Sequence, residues 1–223
     1  MRYYPIHLDI QNRNCLVVGG GLVGERKVNT LLDCGANITV VSPTLTETLW
    51  VLSQNRRISL KQWHYRSTDL EGMFLVIGAT DDPSLNHRIY KDAETLHILC
   101  NIADQPEICN FILPAVVHRG DLIIAISTSG SSPAYAKQLR KDLETQFGQE
   151  YEVFLHLMGA IRKKLLRDHH EAESHKPLFE KLIAEDLLDL IKNGEEDNID
   201  ILLESVLGED YTYKQLMKEK NNR

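Results

Sequence analysis

The sequence lacks the long apolar runs of a membrane protein. No hydrophobic stretch approaches the roughly 20 residues that a membrane-spanning helix needs, and residues 1–14 show no signal-peptide pattern. Basic residues are also too few for nucleic-acid binding, because 25 Lys and Arg stand against 32 Asp and Glu, a net charge of −7. We therefore expect no membrane and no nucleic-acid partner, and we place the protein in the cytoplasm.

Metal-binding patterns are missing as well. None of the four cysteines lies in a C-x-x-C pair, and no Cys/His spacing resembles a zinc site. Three histidines, His169, His170 and His175, fall in a polar stretch, and adjacent positions do not share a helical face. We interpret these histidines as a solvated segment and the cysteines as reduced and structural. No metal site is predicted.

Short β-rich runs alternate with amphipathic segments over the first hundred residues. Strands are predicted near 15–18, 38–41, 58–64, 73–79 and 98–102, with helices near 22–34, 45–54 and 83–96. Strands that alternate with helices pair in parallel through right-handed crossovers. The fold class is therefore α/β, with a Rossmann-type doubly wound parallel sheet.

The pattern changes near residue 111. Two strands, predicted at 111–117 and 122–126, follow each other without a helix, and helices are predicted at 134–147 and 151–167. Ser132 is the expected N-cap of the first of these helices. We divide the chain into a Rossmann domain (1–112), a β-containing segment (113–147) and an all-helical C-terminal region (148–223).

The sequence GGGLVG at 19–24 has the G-x-G-x-x-G spacing, follows a strand and opens a helix. Gly19 permits the tight turn, Gly21 lets a pyrophosphate approach the backbone, and Gly24 lets the helix pack closely on the strand. This context predicts dinucleotide binding. The alternative is a glycine-rich turn that binds nothing.

The second strand ends without the acid that usually binds the adenosine ribose. Its end reads Val41-Ser42-Pro43-Thr44, in which Ser42 or Thr44 could bond a ribose hydroxyl. There is also no arginine for a 2′-phosphate, so NAD is favoured over NADP. Three further polar segments, at 79–82, 101–104 and 127–133, end strands at the edge where ligands bind, although such residues also form ordinary turns.

Five motifs occur in a specific order along residues 1–165. They read CLVVGGGLVGERK at 15–27, GATDD at 78–82, CNIAD at 100–104, FILPA at 111–115 and ISTSGSSPAYAKQLR at 126–140. Together they resemble the precorrin-2 dehydrogenase family, which includes the N-terminal module of siroheme synthases. The resemblance implies oxidation of precorrin-2 to sirohydrochlorin with NAD, and a homodimer in which the central segment, 113–147, mediates dimerisation.

The resemblance also implies site residues. The family's cofactor contacts fall on Gly21, Leu22, Val23, Pro43, Thr44, Thr80 and Asn101. The glycine loop adds Gly19 and Gly24 to the candidate cofactor residues. The family's essential aspartate falls on Asp104, a candidate general base for proton removal. The substrate carries several carboxylates, so hydroxyl and cationic groups are its candidate ligands. These are Ser127, Ser129, Ser132, Arg119, Lys137 and Arg140.

Two other functions stay open. The same enzyme could also insert Fe²⁺ or Co²⁺ into sirohydrochlorin, since in the family the aspartate at Asp104 is implicated in both reactions. From another class, the chain could be an NAD-sensing regulatory module. The sequence argues against a sensor, because such modules usually keep the ribose-binding acidic residue after the second strand. They also have no use for the segments at 101–104 and 127–133.

Overall fold

The computed structural model describes residues 2–168 and 175–218, and within them no helix has the length and apolarity that crossing a membrane requires. The chain forms two compact units, Met1–Leu113 and Pro114–Arg223. The finer division at 112 and 147 stays a prediction.

The first unit is a five-stranded parallel sheet with the strand order β3-β2-β1-β4-β5. The elements are β1 (Asn14–Val18), α1 (Leu22–Asp33), β2 (Asn37–Val41), α2 (Glu47–Gln54), β3 (Ser59–Lys61), β4 (Leu75–Gly78), α3 (Pro83–Thr95) and β5 (Leu99–Ile102). The order reverses between β1 and β4, which confirms the doubly wound Rossmann-type sheet. Ligands bind such sheets at this switch point, beyond the carboxyl ends of the strands.

Strand register brings four of these carboxyl ends into one row. Val18 of β1 lies opposite both Val41 of β2 and Gly78 of β4, and Gly78 lies opposite Ile102 of β5. The loops that follow these strands therefore start at the same edge of the sheet. That edge is called the carboxyl edge below.

Each face of the sheet is covered by helices, as the alternation of strands with helices predicts. Val17 packs in one core with Val28 of α1, while Leu16 and Val76 pack in the other core with Ile89 of α3. Cys15 and Cys100 are fully buried, and burial raises their pKa values to about 11 and about 12. They are neutral thiols that pack as small apolar residues.

Several predicted strands have narrower bounds in the structure, and the strand predicted at 73–79 is Leu75–Gly78. The strand predicted at 58–64 is Ser59–Lys61, because Trp63 beyond it turns to donate to the buried carboxylate of Asp69. The strand predicted at 111–117 begins only at Ala115. The preceding residues connect back to β5, where the carbonyl oxygen of Phe111 accepts from Asn101.

The second unit combines an antiparallel hairpin with helices. Its elements are β6 (Ala115–Arg119), β7 (Leu122–Ile126), α4 (Pro133–Gln146), α5 (Glu150–Asp168), α6 (Lys176–Ala184), α7 (Leu187–Asn193), α8 (Glu196–Leu207) and α9 (Tyr213–Lys218). Val117 and Ile126 pack on Ala136 of α4. A separate core joins Leu157 of α5 with Leu203 of α8. The β-containing segment and the helical C-terminal region thus appear as predicted.

One of the three histidines contradicts the prediction of a solvated segment. His175 is only 4% exposed, because it directly precedes α6, whose Leu178 and Leu182 pack into the helical core. His169 and His170 lie outside the described residues.

Candidate functional site

The glycine loop is wedged between the ends of β2 and β4. Gly19 has a φ of +116°, and a Cβ atom there would lie 2.2 Å from the carbonyl oxygen of Ala79. The Gly19 amide donates to the carbonyl oxygen of Val41 at 3.0 Å. Only glycine satisfies this backbone conformation and this close approach together.

The start of α1 is open to a ligand. A Cβ atom on Gly21 would meet nothing within 4 Å, and α1 begins at Leu22 without a side-chain cap. The first amides of a helix have no intrahelical acceptor, so those of Leu22 and Val23 are suited to bind phosphate. Gly24 packs closely, since a Cβ atom there would lie 2.1 Å from the carbonyl oxygen of Gly19.

The loop after β2 lies against the glycine loop. A Cβ atom on Gly20 would lie 2.2 Å from the carbonyl oxygen of Thr44, and Pro43 and Thr44 are exposed beside it. The buried Ser42 hydroxyl donates to the carbonyl oxygen of Thr44 at 2.7 Å. Of the two hydroxyl groups considered for a ribose, Ser42 therefore has a structural partner, and Thr44 is the accessible one.

The loop after β4 places Thr80 at the carboxyl edge. Its hydroxyl oxygen lies 2.7 Å from the side-chain oxygen of Asn86, which α3 contributes and which is 2% exposed. Sequence reasoning missed Asn86. A polar residue four positions into a helix that otherwise buries Ile89 and Ala93 was the signal that could have found it.

The loop after β5 carries Asp104, and hydrogen bonds made by Cys109 and Asn101 hold this loop together. The Cys109 thiol accepts from the amide of Ile102 at 3.1 Å and donates to the carbonyl oxygen of Gln105 at 3.1 Å. Asn101 is buried and donates from Nδ2 to the carbonyl oxygen of Phe111 at 3.1 Å. Asp104 itself is exposed, with a left-handed φ of +61°.

Lys27 of α1 is a second residue that the sequence did not single out. Burial, and then the nearby Arg26, lower the pKa of its ammonium group, while Asp104 and Cys109 act in the opposite direction. Among the described residues, Lys27 Nζ has no hydrogen-bond or ion-pair partner. A half-buried cation therefore lies within electrostatic range of Asp104.

A cleft of about 530 Å³ opens beside the Asp104 loop. It is lined by the first turns of α3 and by the 3-10 turn Pro106–Ile108: Pro83, Ser84, His87, Gln105, Glu107 and Ile108. The cleft and the loops after β1, β2, β4 and β5 all belong to the first unit. The structure thus gathers the predicted cofactor residues and Asp104 at one edge of one sheet.

The predicted substrate residues all lie in the second unit, and several have structural partners there. Ser132 caps α4, as predicted, by accepting from the Tyr135 amide at 3.2 Å, and Ser127 accepts from the Ser129 amide at 3.1 Å. Ser129 itself has a left-handed φ of +54°.

The three basic candidates for substrate binding differ in their hydrogen-bond and ion-pair partners. The Arg119 guanidinium donates to the carbonyl oxygens of His118, Glu144 and Phe147, so it closes the carboxyl end of α4. Arg140 forms an ion pair with Glu144, one turn along α4. Lys137 is exposed and has no such partner among the described residues. Lys137 is therefore the basic candidate best placed to meet a ligand, and substrate binding by any of the six residues stays a prediction.

No cluster of three or more His, Cys, Asp or Glu side chains suited to a metal ion occurs in the described ranges, 2–168 and 175–218.

Comparison with known proteins matches both parts of the chain. Residues 6–115 match the family described as putative NAD(P)-binding, and residues 119–146 match the family described as sirohaem biosynthesis protein central. The siroheme synthases of Nitrosococcus oceani and Hydrogenovibrio crunogenus are each 36% identical over 93% of this chain. The chain spans 44% of the length of either relative.

A solved structure, SirC, precorrin-2 dehydrogenase, is also similar. It is 28% identical, with a TM-score of 0.75, and the match covers 94% of this chain and all of that one. The match extends through both units, so the similarity is not confined to the nucleotide-binding sheet.

Proposed function

We propose that this chain, which belongs to the precorrin-2 dehydrogenase family, oxidises precorrin-2 to sirohydrochlorin with NAD as the hydride acceptor. The observation that carries the proposal is the position of Asp104, which has a left-handed φ. The loop that contains Asp104 starts from the same carboxyl edge as the glycine loop. Catalysis of this reaction needs a hydride acceptor and a proton acceptor side by side, and this edge offers both.

The glycine loop has the room that a dinucleotide requires. The open space at Gly21 and the uncapped first turn of α1 suit a pyrophosphate, while the exposed Thr44 suits a ribose hydroxyl. Bound NAD supplies the hydride acceptor. NAD is proposed over NADP because residues 42–46 include no lysine or arginine to pair with a 2′-phosphate.

Asp104 accepts the proton that the tetrapyrrole loses when its hydride leaves. The exposed carboxylate is accessible to a large substrate, and the closed loop between Asn101 and Phe111 holds it in place. Lys27 adds a positive charge in the same region, which suits a substrate with several carboxylates.

A homodimer is part of the proposal. The outer face of the β6–β7 hairpin exposes Val116 and Ile123 by 40% and 46%, and Ala125 beside them is exposed too. An apolar sheet face of this kind suits a second copy of the chain. The cytoplasmic location remains an expectation from the sequence.

The test is anaerobic turnover of enzymatically prepared precorrin-2, followed through the absorbance of NADH and sirohydrochlorin. NAD-dependent formation of sirohydrochlorin would support the proposal, and NADP in place of NAD should be a poor substrate. NAD binding without any oxidation would instead favour the sensor function.

A second activity is favoured by the relatives, which carry the name siroheme synthase and match 93% of this chain. Siroheme is the iron complex of sirohydrochlorin, so the bifunctional alternative takes Fe²⁺ as a substrate. Repeating the assay with Fe²⁺ and Co²⁺ tests it, because metal insertion above the rate without enzyme would establish the chelatase.

A further inference from the structure

The hydroxyl group of Thr80 has a fixed direction. Asn86 Nδ2 donates to the carbonyl oxygen of Thr80 at 3.0 Å, so it is Asn86 Oδ1 that faces the Thr80 hydroxyl at 2.7 Å. An amide oxygen only accepts hydrogen bonds, and the Thr80 hydroxyl must therefore donate its proton to Asn86. The carbonyl oxygen of Asp82, at 3.3 Å, is the more distant alternative.

One acceptor position on the Thr80 hydroxyl then remains for a ligand. A hydroxyl group has one donor and two acceptor positions, and the Asp82 amide, at 3.3 Å, takes one acceptor position. With its proton committed to Asn86, Thr80 can offer a ligand only an acceptor. The group that it binds must be a donor.

Thr80 lies next to the glycine loop. A Cβ atom on Gly19 would lie 2.2 Å from the carbonyl oxygen of Ala79 and 3.3 Å from the Thr80 nitrogen. The hydroxyl is thus part of the carboxyl edge where the cofactor is proposed to bind.

The start of α3 does not need Asn86. Asp82 caps this helix by accepting from the amides of Ser84 and Leu85 at 2.8 and 3.2 Å, and Pro83 fits its first position. The two hydrogen bonds of Asn86 are instead directed at Thr80. The loop is already anchored to the sheet by the Ala79 amide, which donates to the carbonyl oxygen of Val18 at 2.8 Å.

We propose that Asn86 is a positioning residue that makes Thr80 a hydrogen-bond acceptor for a donor group of the nicotinamide cofactor. Three parts of NAD carry such a donor: the ribose hydroxyl groups, the carboxamide N–H group and the amino group of adenine. The inference rests on the proposed function only in that NAD binds at this edge. It requires nothing of the tetrapyrrole.

The first experiment is titration of the full-length protein with NAD in the absence of precorrin-2. Thr80→Val removes the hydroxyl at nearly constant volume and should weaken NAD binding about 3- to 10-fold, the effect of one hydrogen bond. Thr80→Ser keeps the hydroxyl and should stay within about twofold of the wild-type affinity. Equal affinity of Thr80→Val and the wild-type protein would overturn the inference.

The second experiment separates positioning from general stability. Asn86→Ala should weaken NAD binding when Thr80 is present and have no further effect in the Thr80→Val background. Equal losses in both backgrounds would mean that Asn86 only supports the fold, and would overturn the inference. If Asn86→Ala does not fold, the two Thr80 variants can still overturn the inference, because it requires the Thr80 hydroxyl to bind NAD.

A matched control is Asn110→Ala. Asn110 also clamps backbone groups, since it accepts from the Cys100 amide at 2.7 Å and donates to the carbonyl oxygen of Ile98 at 3.0 Å. Its removal should lower stability and leave the NAD affinity unchanged.

Acetylpyridine adenine dinucleotide tests whether the carboxamide is the donor, because it lacks the carboxamide N–H group. If the carboxamide is the donor, Thr80→Val should not change the affinity for this analogue. If a ribose hydroxyl or the adenine amino group is the donor, Thr80→Val should weaken the binding of NAD and of the analogue equally. Failure of the wild-type protein to bind NAD would instead remove the proposed function together with this inference.

Discussion

The side-chain amide of Asn101 donates to the carbonyl oxygen of Phe111 at 3.1 Å, across the base of the loop that carries Asp104. The Cys109 thiol closes the same loop because it accepts from the Ile102 amide at 3.1 Å. Residues other than the aspartate thus hold the loop, although Asp104 has a left-handed φ of +61°. The carboxylate can therefore be changed without dismantling its support.

Asp104→Asn should abolish dehydrogenation and leave NAD binding intact. Asparagine tolerates the left-handed conformation, so the loop should keep its shape. We expect turnover of precorrin-2 to fall by about 100-fold or more, the loss typical of a general base. Anaerobic NADH formation and NAD titration measure the two effects. Asp33→Asn, at the exposed end of α1, is the control, and near-normal turnover of Asp104→Asn would remove this residue from the chemistry.

Gly21→Asp should weaken NAD binding by about tenfold or more, because it places a carboxylate where the pyrophosphate is proposed to lie. The fold should survive, since a Cβ atom at Gly21 meets nothing within 4 Å. Gly159→Asp makes the same chemical change at an equally open position in α5 and should leave the NAD affinity unchanged. Equal affinities of the two variants would mean that the glycine loop is structural only.

The fold could be predicted from local sequence patterns. Continuous apolar runs identified β1 and β4, because both faces of a parallel sheet are buried. The spacing of Val28 and Leu31 identified α1, because only one face of that helix is buried. Strand ends and glycine spacing then located the carboxyl edge. The edge follows from parallel topology alone and needs no knowledge of side-chain contacts.

The features that sequence patterns did not reveal depend on contacts between distant positions. The sequence shows only that Arg119 is basic. Its hydrogen bond to the carbonyl oxygen of Phe147 becomes visible only in the folded second unit. Lys27 is likewise an ordinary helix residue until α1 packs on the sheet near Asp104. The polar neighbours of His175 predicted a solvated side chain. That prediction was wrong because the burial of His175 depends on where α6 packs.

Arg119 and Lys137 should respond to substitution in opposite ways. Arg119→Met removes three hydrogen bonds to backbone carbonyl groups and should lower the free energy of unfolding by about 1–3 kcal/mol, with little change in the KM for precorrin-2. Lys137→Met should change stability by less than about 0.5 kcal/mol and raise that KM. Urea unfolding followed by far-UV circular dichroism, with steady-state kinetics, tests both. A raised KM for Arg119→Met at unchanged stability would restore Arg119 as a substrate ligand.

Replacement of Lys27 by an uncharged residue should have opposite effects on stability and on activity. Because burial and Arg26 lower its pKa, the folded chain binds this proton less tightly than the unfolded chain does. The charged lysine therefore destabilises the fold at neutral pH. Lys27→Met should therefore raise the Tm and lower kcat/KM for precorrin-2 about tenfold, because it removes a positive charge near Asp104.

Two variants check that interpretation. Lys27→Arg keeps the positive charge and should retain more activity than Lys27→Met. Lys91→Met, on the exposed surface of α3, should change neither the Tm nor kcat/KM. A Lys27→Met protein with raised Tm and full activity would show that the charge has no part in turnover.

Asp69 should make the first unit sensitive to acid. Burial of this carboxylate opposes its ionisation, but hydrogen bonds from Lys61, the Arg66 amide and Trp63 outweigh burial and lower its pKa below the usual value of 3.8. Its contribution to stability is therefore present above about pH 4 and is lost as the pH falls through the folded-state pKa.

Asp69→Asn should lower the free energy of unfolding by about 1–3 kcal/mol at pH 7, and the difference from the wild-type protein should shrink below pH 4. Urea titrations followed by tryptophan fluorescence report on the first unit, because Trp50 and Trp63 both lie in it. Asp33→Asn is again the matched control, since its exposed side chain should give a curve parallel to that of the wild-type protein. A difference for Asp69→Asn that stays constant from pH 7 to pH 3 would mean that the ionised carboxylate contributes nothing beyond its hydrogen-bond geometry.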